Sequence, residues 1–298
     1  MLKKFLLIGH SVLDTIVKGK EKSLRPGGIF YSTTGLLSIK EKEDDITLIT
    51  NYDESSFCYF EEIYNQVDLK FSSKVDLIPR VELTIHPDKE RTEKYSNFNQ
   101  SLILPNDYHY EDFDLILMNM ITGFELSSQK LCEIKQNTNA IIYFDVHSLS
   151  RGIDENNVRF PKKVENKSEW LKSIDILQAN EFEILTLSDE SDELKIAEDI
   201  LSHNVKILLI TKGKYGASAY YYENNKIESA VIPAIKINSI NSVGCGDIFG
   251  AVFSYYFIKT YNVKFSLTLA NKAGGIITSY NEIQDYKKLK KDLEKVYE

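Results

Sequence analysis

The chain has 298 residues, of which 43% are hydrophobic and 27% charged, a composition that excludes collagen-like and intrinsically disordered proteins. Its 36 Lys and Arg residues against 44 Asp and Glu residues give a net charge of -8, and no basic stripe runs along it. This charge argues against a nucleic-acid polymer as partner, whereas backbone amides at a helix N-terminus can still hold a small phosphorylated ligand.

Short apolar runs alternate with longer amphipathic runs along the chain. The short runs predict buried strands over 5–8, 46–50, 115–118, 141–144, 174–177 and 207–210. The longer runs predict helices over 29–40, 55–65, 127–136, 192–202, 246–259, 265–280 and 286–296. This alternation is typical of a mainly parallel sheet that is covered by helices on both faces.

Two segments depart from this pattern. Residues 76–97 combine a short apolar run with a charged segment, which predicts half-exposed antiparallel strands that stand off the main sheet. Residues 217–222 and 226–231, joined by residues 223–225, predict a hairpin. No repeat or low-complexity linker marks a boundary, so we expect residues 1–298 to form one domain.

The cysteines and the apolar runs bear on the cellular compartment. Cys58, Cys132 and Cys245 are far apart, odd in number and without metal-ligand spacing, which indicates a reducing compartment. The apolar start of the chain stops at Gly9 and lacks a cleavage site, so it predicts a first strand and not a signal peptide. Since no apolar run is long enough to cross a bilayer, we expect a cytoplasmic protein without a membrane partner.

The most informative segment is the glycine-rich turn at 241–251, which leads into an apolar helix. Gly244 and Gly246 flank Cys245, so successive backbone amides can converge on an anion near the helix N-terminus. The helix dipole keeps Asp247 ionised in the first turn, and a carboxylate beside an anion cradle suits the general base for a hydroxyl that attacks a phosphoryl group. The alternative is that Asp247 only caps the helix.

This segment resembles the signature DTxGAGD of the ribokinase (pfkB) family of carbohydrate kinases, with the final Gly-x-Gly-Asp intact. The resemblance runs in the correct order from the first strand to Asn271. It implies a ribokinase-like three-layer α/β/α fold with a mainly parallel central sheet and a small β lid from about 14–26 and 76–97. It also implies a kinase that moves the γ-phosphoryl group of ATP to a hydroxyl of a small sugar or sugar-like acceptor. In that reaction Asp247 is the base, and the amides of Gly244, Cys245 and Gly246 stabilise the transferred group.

Asn180 and Glu183 follow a predicted strand and match the family's NxxE motif. The resemblance implies that they place Mg²⁺ and the donor phosphates, directly or through water. Their spacing puts both side chains on one face of a first helical turn, at a strand end where open α/β sheets bind ligands. The alternative is a local role, with Asn180 as the N-cap and Glu183 completing a capping box.

Two further segments resemble nucleotide-binding parts of the family. Thr211, Gly213 and Gly216 follow the predicted strand 207–210 and are similar to the loop TxGxxG. Asn271 lies in a segment that is similar to the one flanking the adenine. The resemblance therefore implies that these residues bind ATP. The alternative for the glycines is a turn that holds no ligand.

The N-terminal half is expected to bind the acceptor. Asp14 stands where the family has an acid that accepts hydrogen bonds from substrate hydroxyls. Gly27 and Gly28 resemble a Gly-Gly motif at which the backbone approaches the substrate. Arg91, in the lid segment, can reach over the site. The alternatives are a loop role for the glycines and a solvated charge for Arg91. Lid strands of this family often pair between subunits, so a homodimer is a further expectation.

Three departures from the family pattern shape the alternatives. Asn241 and Ser242 replace the usual Asp-Thr, which puts the monovalent-cation site in question. His147 replaces the Asn of an Asp-x-Asn-x-Arg segment, where it either lines the cleft or makes a structural hydrogen bond. The family commonly has an Asn a few residues after the Gly-Gly motif, and here Phe30 and Tyr31 occupy that stretch. A nucleoside acceptor that stacks on these two rings is therefore the alternative to a sugar.

Two other classes of protein stay open. A non-catalytic nucleotide- or sugar-binding protein with this fold would explain the departures, but it has no need for an intact Asp247. A nicotinamide oxidoreductase is disfavoured, because Gly244, Gly246 and Gly250 are spaced GxGxxxG and the dinucleotide fingerprint is GxGxxG near a first strand.

Overall fold

The computed structural model describes residues 2–86, 92–98, 100–105 and 108–295. Its strands are β1 (Lys4–Gly9), β2 (Ser11–Lys18), β3 (Glu21–Gly28), β4 (Asp45–Ile49), β5 (Asn51–Tyr52), β6 (Ser73–Lys74), β7 (Arg80–Thr84), β8 (Thr92–Ser96), β9 (Leu115–Asn119), β10 (Ile141–Asp145), β11 (Arg151–Ile153), β12 (Arg159–Pro161), β13 (Ile176–Asn180), β14 (Ile207–Thr211), β15 (Ala217–Glu223) and β16 (Lys226–Ile232). Its helices are α1 (Ile29–Ile39), α2 (Glu61–Tyr64), α3 (Ser128–Gln136), α4 (Lys167–Leu171), α5 (Glu193–Leu201), α6 (Cys245–Thr260), α7 (Val263–Ile276) and α8 (Leu289–Lys295).

Eight strands form the main sheet, in the order β16-β15-β14-β13-β10-β9-β1-β4. The strands from β14 to β4 are parallel, and β15 and β16 add an antiparallel hairpin at one edge. Strand β9 is buried at every position, as expected for a parallel strand with helices on both sides. The six predicted buried strands and the predicted hairpin are therefore confirmed. In the hairpin turn, Asn224 and Asn225 have φ angles of 49° and 60°, which Asn tolerates well.

Helices cover both faces of the main sheet. Because side chains alternate along a strand, Phe5 and Leu7 of β1 pack with α1, α6 and α7, whereas Leu6 and Ile8 pack with α3 and α5. The three-layer α/β/α fold is thus confirmed, while a single domain over 1–298 stays a prediction. None of the helices in the described part of the chain is long and apolar enough to cross a membrane.

Two predicted helices differ in detail. The single helix over 55–65 is wrong, because a 3-10 turn over Phe57–Tyr59 precedes the short α2. Asp53 competes with helical hydrogen bonding there, since its Oδ1 accepts from Ser55 Oγ at 2.7 Å and from Ser56 N at 2.8 Å. The helix predicted over 286–296 is a 3-10 segment, Ile283–Lys288, followed by α8.

A second sheet stands at the carboxyl ends of the parallel strands, and we call it the small sheet. Its order is β3-β2-β7-β8, with β2 antiparallel to β3, β2 parallel to β7, and β7 antiparallel to β8. The antiparallel strands predicted within 76–97 are confirmed as β7 and β8. Its apolar cluster includes Val12, Val81, Leu83 and Tyr95.

Strands β11 and β12 form an antiparallel hairpin that the sequence analysis did not predict. We call residues 151–161 the linker hairpin. Its tip contacts the edge of the small sheet, because Tyr95 N in β8 donates to Asn157 O at 2.9 Å and Lys94 forms a bridge with Val158. The linker hairpin therefore extends the small sheet at β8 and leaves β3 as the edge strand on the other side.

Candidate active site

A cleft of about 1790 Å³ lies between the small sheet and the carboxyl ends of β10, β13 and β14. Ligands of open α/β sheets bind at this edge. The cleft is lined by most of the site residues that the sequence predicts, namely Asp14, Gly28, His147, Asn180, Glu183, Thr211, Gly213, Gly216, Gly244, Cys245, Gly246, Asp247 and Asn271. Gly27 lies against Asp14, and Arg91 lies outside the described residues.

The glycine-rich turn forms the start of α6. Gly244 precedes the helix with a φ of 80°, and a Cβ at this position would lie 2.4 Å from the ring of Tyr31. The backbone angle and the nearby ring therefore both require glycine. The next residues, Cys245, Gly246 and Asp247, form the first turn of the helix. Amides in the first turn of a helix point toward its N-terminus and can donate to an anion there, and Cys245 N also donates to Ser242 O at 3.3 Å.

The position of Asp247 is fixed by Asn119, a residue of the main sheet. Asn119 is buried at the end of β9, and its Nδ2 donates to Asp247 Oδ1 at 2.7 Å and to Ser32 Oγ at 2.9 Å. A hydrogen bond to a carboxylate is strong, and it fixes the orientation of the group. The N-cap position belongs to Gly244, and Asp247 lies inside the first turn, partly exposed to the cleft.

Asp145 is a second carboxyl group of the cleft, at the end of β10. Its Oδ2 accepts a hydrogen bond of 2.9 Å from Gln178 Nε2, which also donates to Gly246 O at 3.2 Å. Burial and then the negative charge of Glu183 raise the pKa of Asp145 to about 8. A carboxyl group with this pKa is mostly protonated at neutral pH, so Asp145 contributes little negative charge to the cleft.

Asn180 and Glu183 form the capping box that the sequence left as an alternative. Asn180 Oδ1 accepts from the amides of Phe182 and Glu183 at 2.9 Å each, and Glu183 Oε2 accepts from Asn180 N at 2.9 Å. Glu183 Oε1 lies 3.3 Å from Arg151 Nη2. Although burial opposes ionisation, the contacts with His147 and Arg151 hold the pKa of Glu183 below its usual value. The motif therefore presents an ionised carboxylate at the cleft.

His147 combines the two roles that the sequence left open. It lines the cleft, and its backbone N donates to Asp145 Oδ1 at 3.2 Å, with a φ of 23°. Its Nδ1 lies 3.5 Å from Glu183 Oε1. His147 thus connects the carboxyl group at the end of β10 with the capping box at the end of β13.

The predicted acceptor residues lie at the small-sheet end of the cleft. Asp14 is buried and stands opposite Arg25 in the register of β2 and β3. A Cβ at Gly27 would lie 2.2 Å from Asp14 Oδ2, and one at Gly28, where φ is 67°, would lie 2.2 Å from His10 O. Both glycines are therefore required by close packing, which leaves the Asp14 carboxyl group beside bare backbone.

Phe30 and Tyr31, the two aromatic residues predicted to stack on a nucleoside, differ in their access to the cleft. Phe30 is 1% exposed and packs on Phe60 and Tyr64, at ring-centroid distances of 5.8 and 6.1 Å. It therefore cannot stack on a ligand. Tyr31 is 6% exposed but lines the cleft, where its ring covers Gly244.

The predicted nucleotide residues lie at the other end of the cleft. Thr211 ends β14, and Gly213 begins a 3-10 turn with a φ of 50°. Gly216 has a structural reason to be glycine, because a Cβ there would lie 2.0 Å from Ile232 O. Asn271 is buried, and its Nδ2 donates to Pro233 O at 2.8 Å, which joins α7 to the segment after β16. The structure thus gives Gly216 and Asn271 structural roles in the wall of the cleft.

Comparison with known proteins identifies the family. Residues 128–288, more than half of the chain, match the model of the pfkB family carbohydrate kinase. The chain belongs to the pfkB family. No match was found among curated proteins. The family membership that the glycine-rich turn predicted is therefore confirmed.

Solved structures share the fold of this pfkB family member. The ribokinase of Thermotoga maritima is 17% identical with a TM-score of 0.71, covering 100% of this chain and 99% of its own. The Arabidopsis thaliana ribokinase complexed with ribose and ATP is 17% identical with a TM-score of 0.75, covering 98% and 99%. The Methanocaldococcus jannaschii nucleoside kinase is 17% identical with a TM-score of 0.70, covering 99% of both chains. At such identities the likeness establishes the fold alone.

Sequence reasoning missed Asn119, Asp145 and Arg151 as site residues of this pfkB family member. Asn119 and Asp145 are each the last residue of a buried parallel strand. A polar residue at that position was the available signal, because the carboxyl ends of parallel strands meet at one edge. Arg151 ends the segment 145–151 that was compared with the family's Asp-x-Asn-x-Arg, but its contacts depend on the unpredicted linker hairpin.

Proposed function

We propose that this pfkB family member transfers the γ-phosphoryl group of ATP to a hydroxyl of a small sugar or sugar-like acceptor, with Asp247 as the general base. The observation that carries the proposal is the position of the Asp247 carboxylate, in the first turn of α6 and fixed by Asn119 at 2.7 Å. The acceptor oxygen bonds to the γ-phosphorus, its proton passes to Asp247, and the bond between the γ-phosphorus and ADP breaks.

The turn at Gly244–Gly246 stabilises the transferred group. Its amides at the start of α6 bind the oxygens that carry negative charge in the transition state, and the helix dipole adds positive potential. The cradle is rigid, because Gly244 is confined by the ring of Tyr31 and Gly246 O accepts from Gln178. Cys245 contributes its backbone, so its replacement of the family's Ala leaves the cradle intact.

Asn180 and Glu183 fit Mg²⁺ through water. No group of three or more His, Cys, Asp or Glu side chains in the described ranges is arranged to hold a metal directly. Asn180 Oδ1 already accepts two backbone hydrogen bonds and so holds the motif in place, whereas the Glu183 carboxylate, which accepts from Asn180 N and Arg151, retains lone pairs for metal-bound water. Mg²⁺ keeps several of its waters in proteins, so this arrangement suits it. When bound, the ion would neutralise charge on the donor phosphates.

The donor nucleotide lies between the loop after β14 and the C-terminal half of α7. Thr211 and Gly213 bind its phosphates, and Gly216 and Asn271 shape the wall through their contacts with residues 232–233. The ATP of the Arabidopsis ribokinase complex supports this donor for a protein of the same fold. Asn241 Oδ1 accepts from Val243 N at 3.0 Å, so this replacement of the family's Asp stabilises its own loop.

The acceptor lies between Asp247 and the small sheet. Asp14 accepts hydrogen bonds from its hydroxyls, the Gly27–Gly28 backbone allows its close approach, and His147 borders it. Arg91 stays part of the proposal as a residue of the segment between β7 and β8. A nucleoside acceptor is the second candidate, and Tyr31 is the ring of the predicted pair that lines the cleft.

The small sheet acts as a lid in this proposal. Its apolar cluster and Asp14 cover the acceptor, which excludes the water that would otherwise hydrolyse ATP. A homodimer formed through the lid would use the β3 edge, because the β8 edge contacts the linker hairpin.

The proposal is tested by ADP release from ATP with Mg²⁺ against a panel of sugars, sugar phosphates and nucleosides. We expect turnover with one acceptor class and little without an acceptor. Release of ADP that no acceptor stimulates, or binding of an acceptor without any turnover, would contradict the kinase reaction. Turnover with nucleosides alone would favour the second candidate.

A further inference from the structure

Arg25 brings a positive charge to the small-sheet end of the cleft. It lies in β3 directly opposite Asp14 of β2, so both side chains are on the face of the small sheet that lines the cleft. The Asp14 carboxyl group is directed toward Gly27, where a Cβ would lie 2.2 Å from its Oδ2. Within residues 2–86, 92–98, 100–105 and 108–295, the half-buried Arg25 guanidinium makes neither an ion pair nor a hydrogen bond.

The other Lys and Arg side chains of the cleft lining, among the residues that the structure describes, differ from Arg25. Arg151 is held by two carboxylates, and Lys22 Nζ lies 3.4 Å from Glu82 Oε2. The remaining ones are exposed to solvent, namely Lys18, Lys214 and Lys236. A guanidinium that is partly withdrawn from water without a partner is unfavourable, so the position of Arg25 points to an anion that arrives with a ligand.

The Tyr31 hydroxyl is a second group without a partner at this end of the cleft. Tyr31 is 6% exposed and lines the cleft, yet its hydroxyl has no hydrogen bond to a residue of the described ranges. Burial raises the pKa of this phenol well above its usual value, so the group stays protonated and can donate. Asp14 raises this pKa further and Arg25 lowers it, so both charges lie in the same part of the cleft as the hydroxyl.

Arg25 and Tyr31 together select the chemistry of the group that can bind between them. A guanidinium only donates hydrogen bonds, and its planar fork matches the oxygens of a carboxylate or a phosphate. The protonated phenol adds one more donor to the same group. A neutral hydroxyl of a sugar would leave the charge of Arg25 without compensation.

We propose that the acceptor carries an anionic oxygen group, a phosphate or a carboxylate, which is bound by Arg25 and the Tyr31 hydroxyl. The inference rests on the proposed function, because it takes the small-sheet end of the cleft as the acceptor site. Asp14 and Asp247 repel an anion, so they face the hydroxyls of the acceptor while Arg25 binds its charged end. An acceptor bound in the reverse direction would place its anion against these carboxylates, which gives the site a preferred orientation.

The experiment compares acceptors that differ in the anionic group. The pairs are ribose 5-phosphate with ribose, glucose 6-phosphate with glucose, and glucuronate with glucose. For each pair, ADP release from ATP with Mg²⁺ gives the ratio of kcat/KM between the anionic and the neutral acceptor. We expect a ratio of at least about 100 for one pair in the wild type, because a site built for a polar group rejects the analogue that lacks it. The pair that shows this ratio tells whether the anion is a phosphate or a carboxylate.

Two variants assign the ratio to the proposed residues. In Arg25→Gln the ratio should fall below about threefold, since the charge and the fork are lost. Tyr31→Phe keeps the ring against Gly244 and should lower the ratio about tenfold. Arg80→Gln is the matched control, the same change in β7 of the small sheet. Arg80 lies opposite Leu13 and therefore on the face turned away from Asp14, so it should keep the wild-type ratio.

Calorimetry with the same acceptors in the absence of ATP separates the inference from the proposed function. Turnover with a ratio near one in the wild type, or with an equal ratio in the wild type and Arg25→Gln, overturns the inference alone. Binding of an anionic acceptor that is lost in Arg25→Gln, without any ADP release, supports the anion site and contradicts the kinase reaction. Neither binding nor turnover with any member of the panel overturns both. Should Arg25→Gln not fold, Tyr31→Phe decides, and an unchanged ratio in it overturns the inference.

Discussion

Asn119 and Asp247 are 128 residues apart in the sequence, and the Asn119 amide donates a hydrogen bond of 2.7 Å to the Asp247 carboxylate. The bond connects the carboxyl end of a central strand with the first turn of the helix that carries the anion cradle. Asn119 is 2% exposed, and its second hydrogen bond to Ser32 orients the amide. The relationship gives the proposed base a fixed direction toward the acceptor.

Removal of this hydrogen bond should impair catalysis more than binding. Asn119→Ala is expected to lower kcat by about 10- to 100-fold, the equivalent of a lost hydrogen bond to a charged group of about 1.5–3 kcal/mol. The dissociation constant of ATP should change by less than about threefold. Ser32→Ala is the control, since it removes the other partner of Asn119 and leaves the bond to Asp247. Equal losses of kcat in the two variants would contradict the account.

The glycine at the start of α6 should be intolerant of a side chain. Gly244→Ala places a Cβ 2.4 Å from the Tyr31 ring at a φ of 80°, so we expect a loss of about 2–4 kcal/mol in the free energy of unfolding and a lower kcat. Gly19→Ala is matched in backbone angle, with a φ of 62° and no atom within 4 Å of its Cβ. It should cost about 1 kcal/mol. Urea denaturation measures the free energy of unfolding of both variants. Equal losses in Gly244→Ala and Gly19→Ala would show that the Tyr31 ring does not confine the turn.

Asp145 should make the stability depend on pH. Its pKa is about 8 in the folded protein and about 3.9 in an unfolded chain, so the native state binds the extra proton between these values. The free energy of unfolding therefore falls as the pH rises from about 4 to about 8, by up to about 1.4 kcal/mol per pH unit for this group. Above a pH of about 8, the pKa of Asp145 in the folded protein, the free energy of unfolding no longer falls because of this group.

Asp145→Asn keeps a neutral polar group and should flatten this dependence. Urea denaturation at several pH values between 5 and 8 measures the difference in slope between the variant and the wild type. Asp45→Asn, a change at an exposed carboxylate, should keep the wild-type slope. If Asp145→Asn also keeps it, Asp145 is ionised in the native state and the assignment of a raised pKa to its carboxyl group is wrong.

Glu183→Gln should weaken the use of Mg²⁺. The change keeps an oxygen acceptor for the Asn180 amide but removes the negative charge at the cleft. We expect the Mg²⁺ concentration for half-maximal activity to rise by about 10-fold or more, as for other residues that act on a metal through water. Glu181→Gln, which alters another carboxylate of the cleft lining, should leave it unchanged. An unchanged Mg²⁺ requirement in Glu183→Gln would remove this residue from the metal site.

The sequence predicted those features that depend on short-range patterns. The six parallel strands are buried apolar runs, and the bonds between Asn180 and Glu183 follow from their spacing. Long-range contacts were not predictable in this way. The bond between Asn119 and Asp247 needs the order of the strands, and the linker hairpin lacks the alternation and the Gly-containing turn of a recognisable hairpin. The helix over 55–65 failed because the bonds of Asp53 outweigh a weak periodicity.

The central claim, that Asp247 is the general base, is tested most directly by Asp247→Asn. Acceptor-dependent ADP formation and the dissociation constant of ATP are measured in this variant, in the wild type and in the surface control Asp45→Asn. We predict that kcat falls at least about 1000-fold in Asp247→Asn, while ATP binds within about threefold of the wild-type constant. A kcat within about tenfold of the wild type would contradict the assignment, because a neutral amide cannot accept the proton of the attacking hydroxyl.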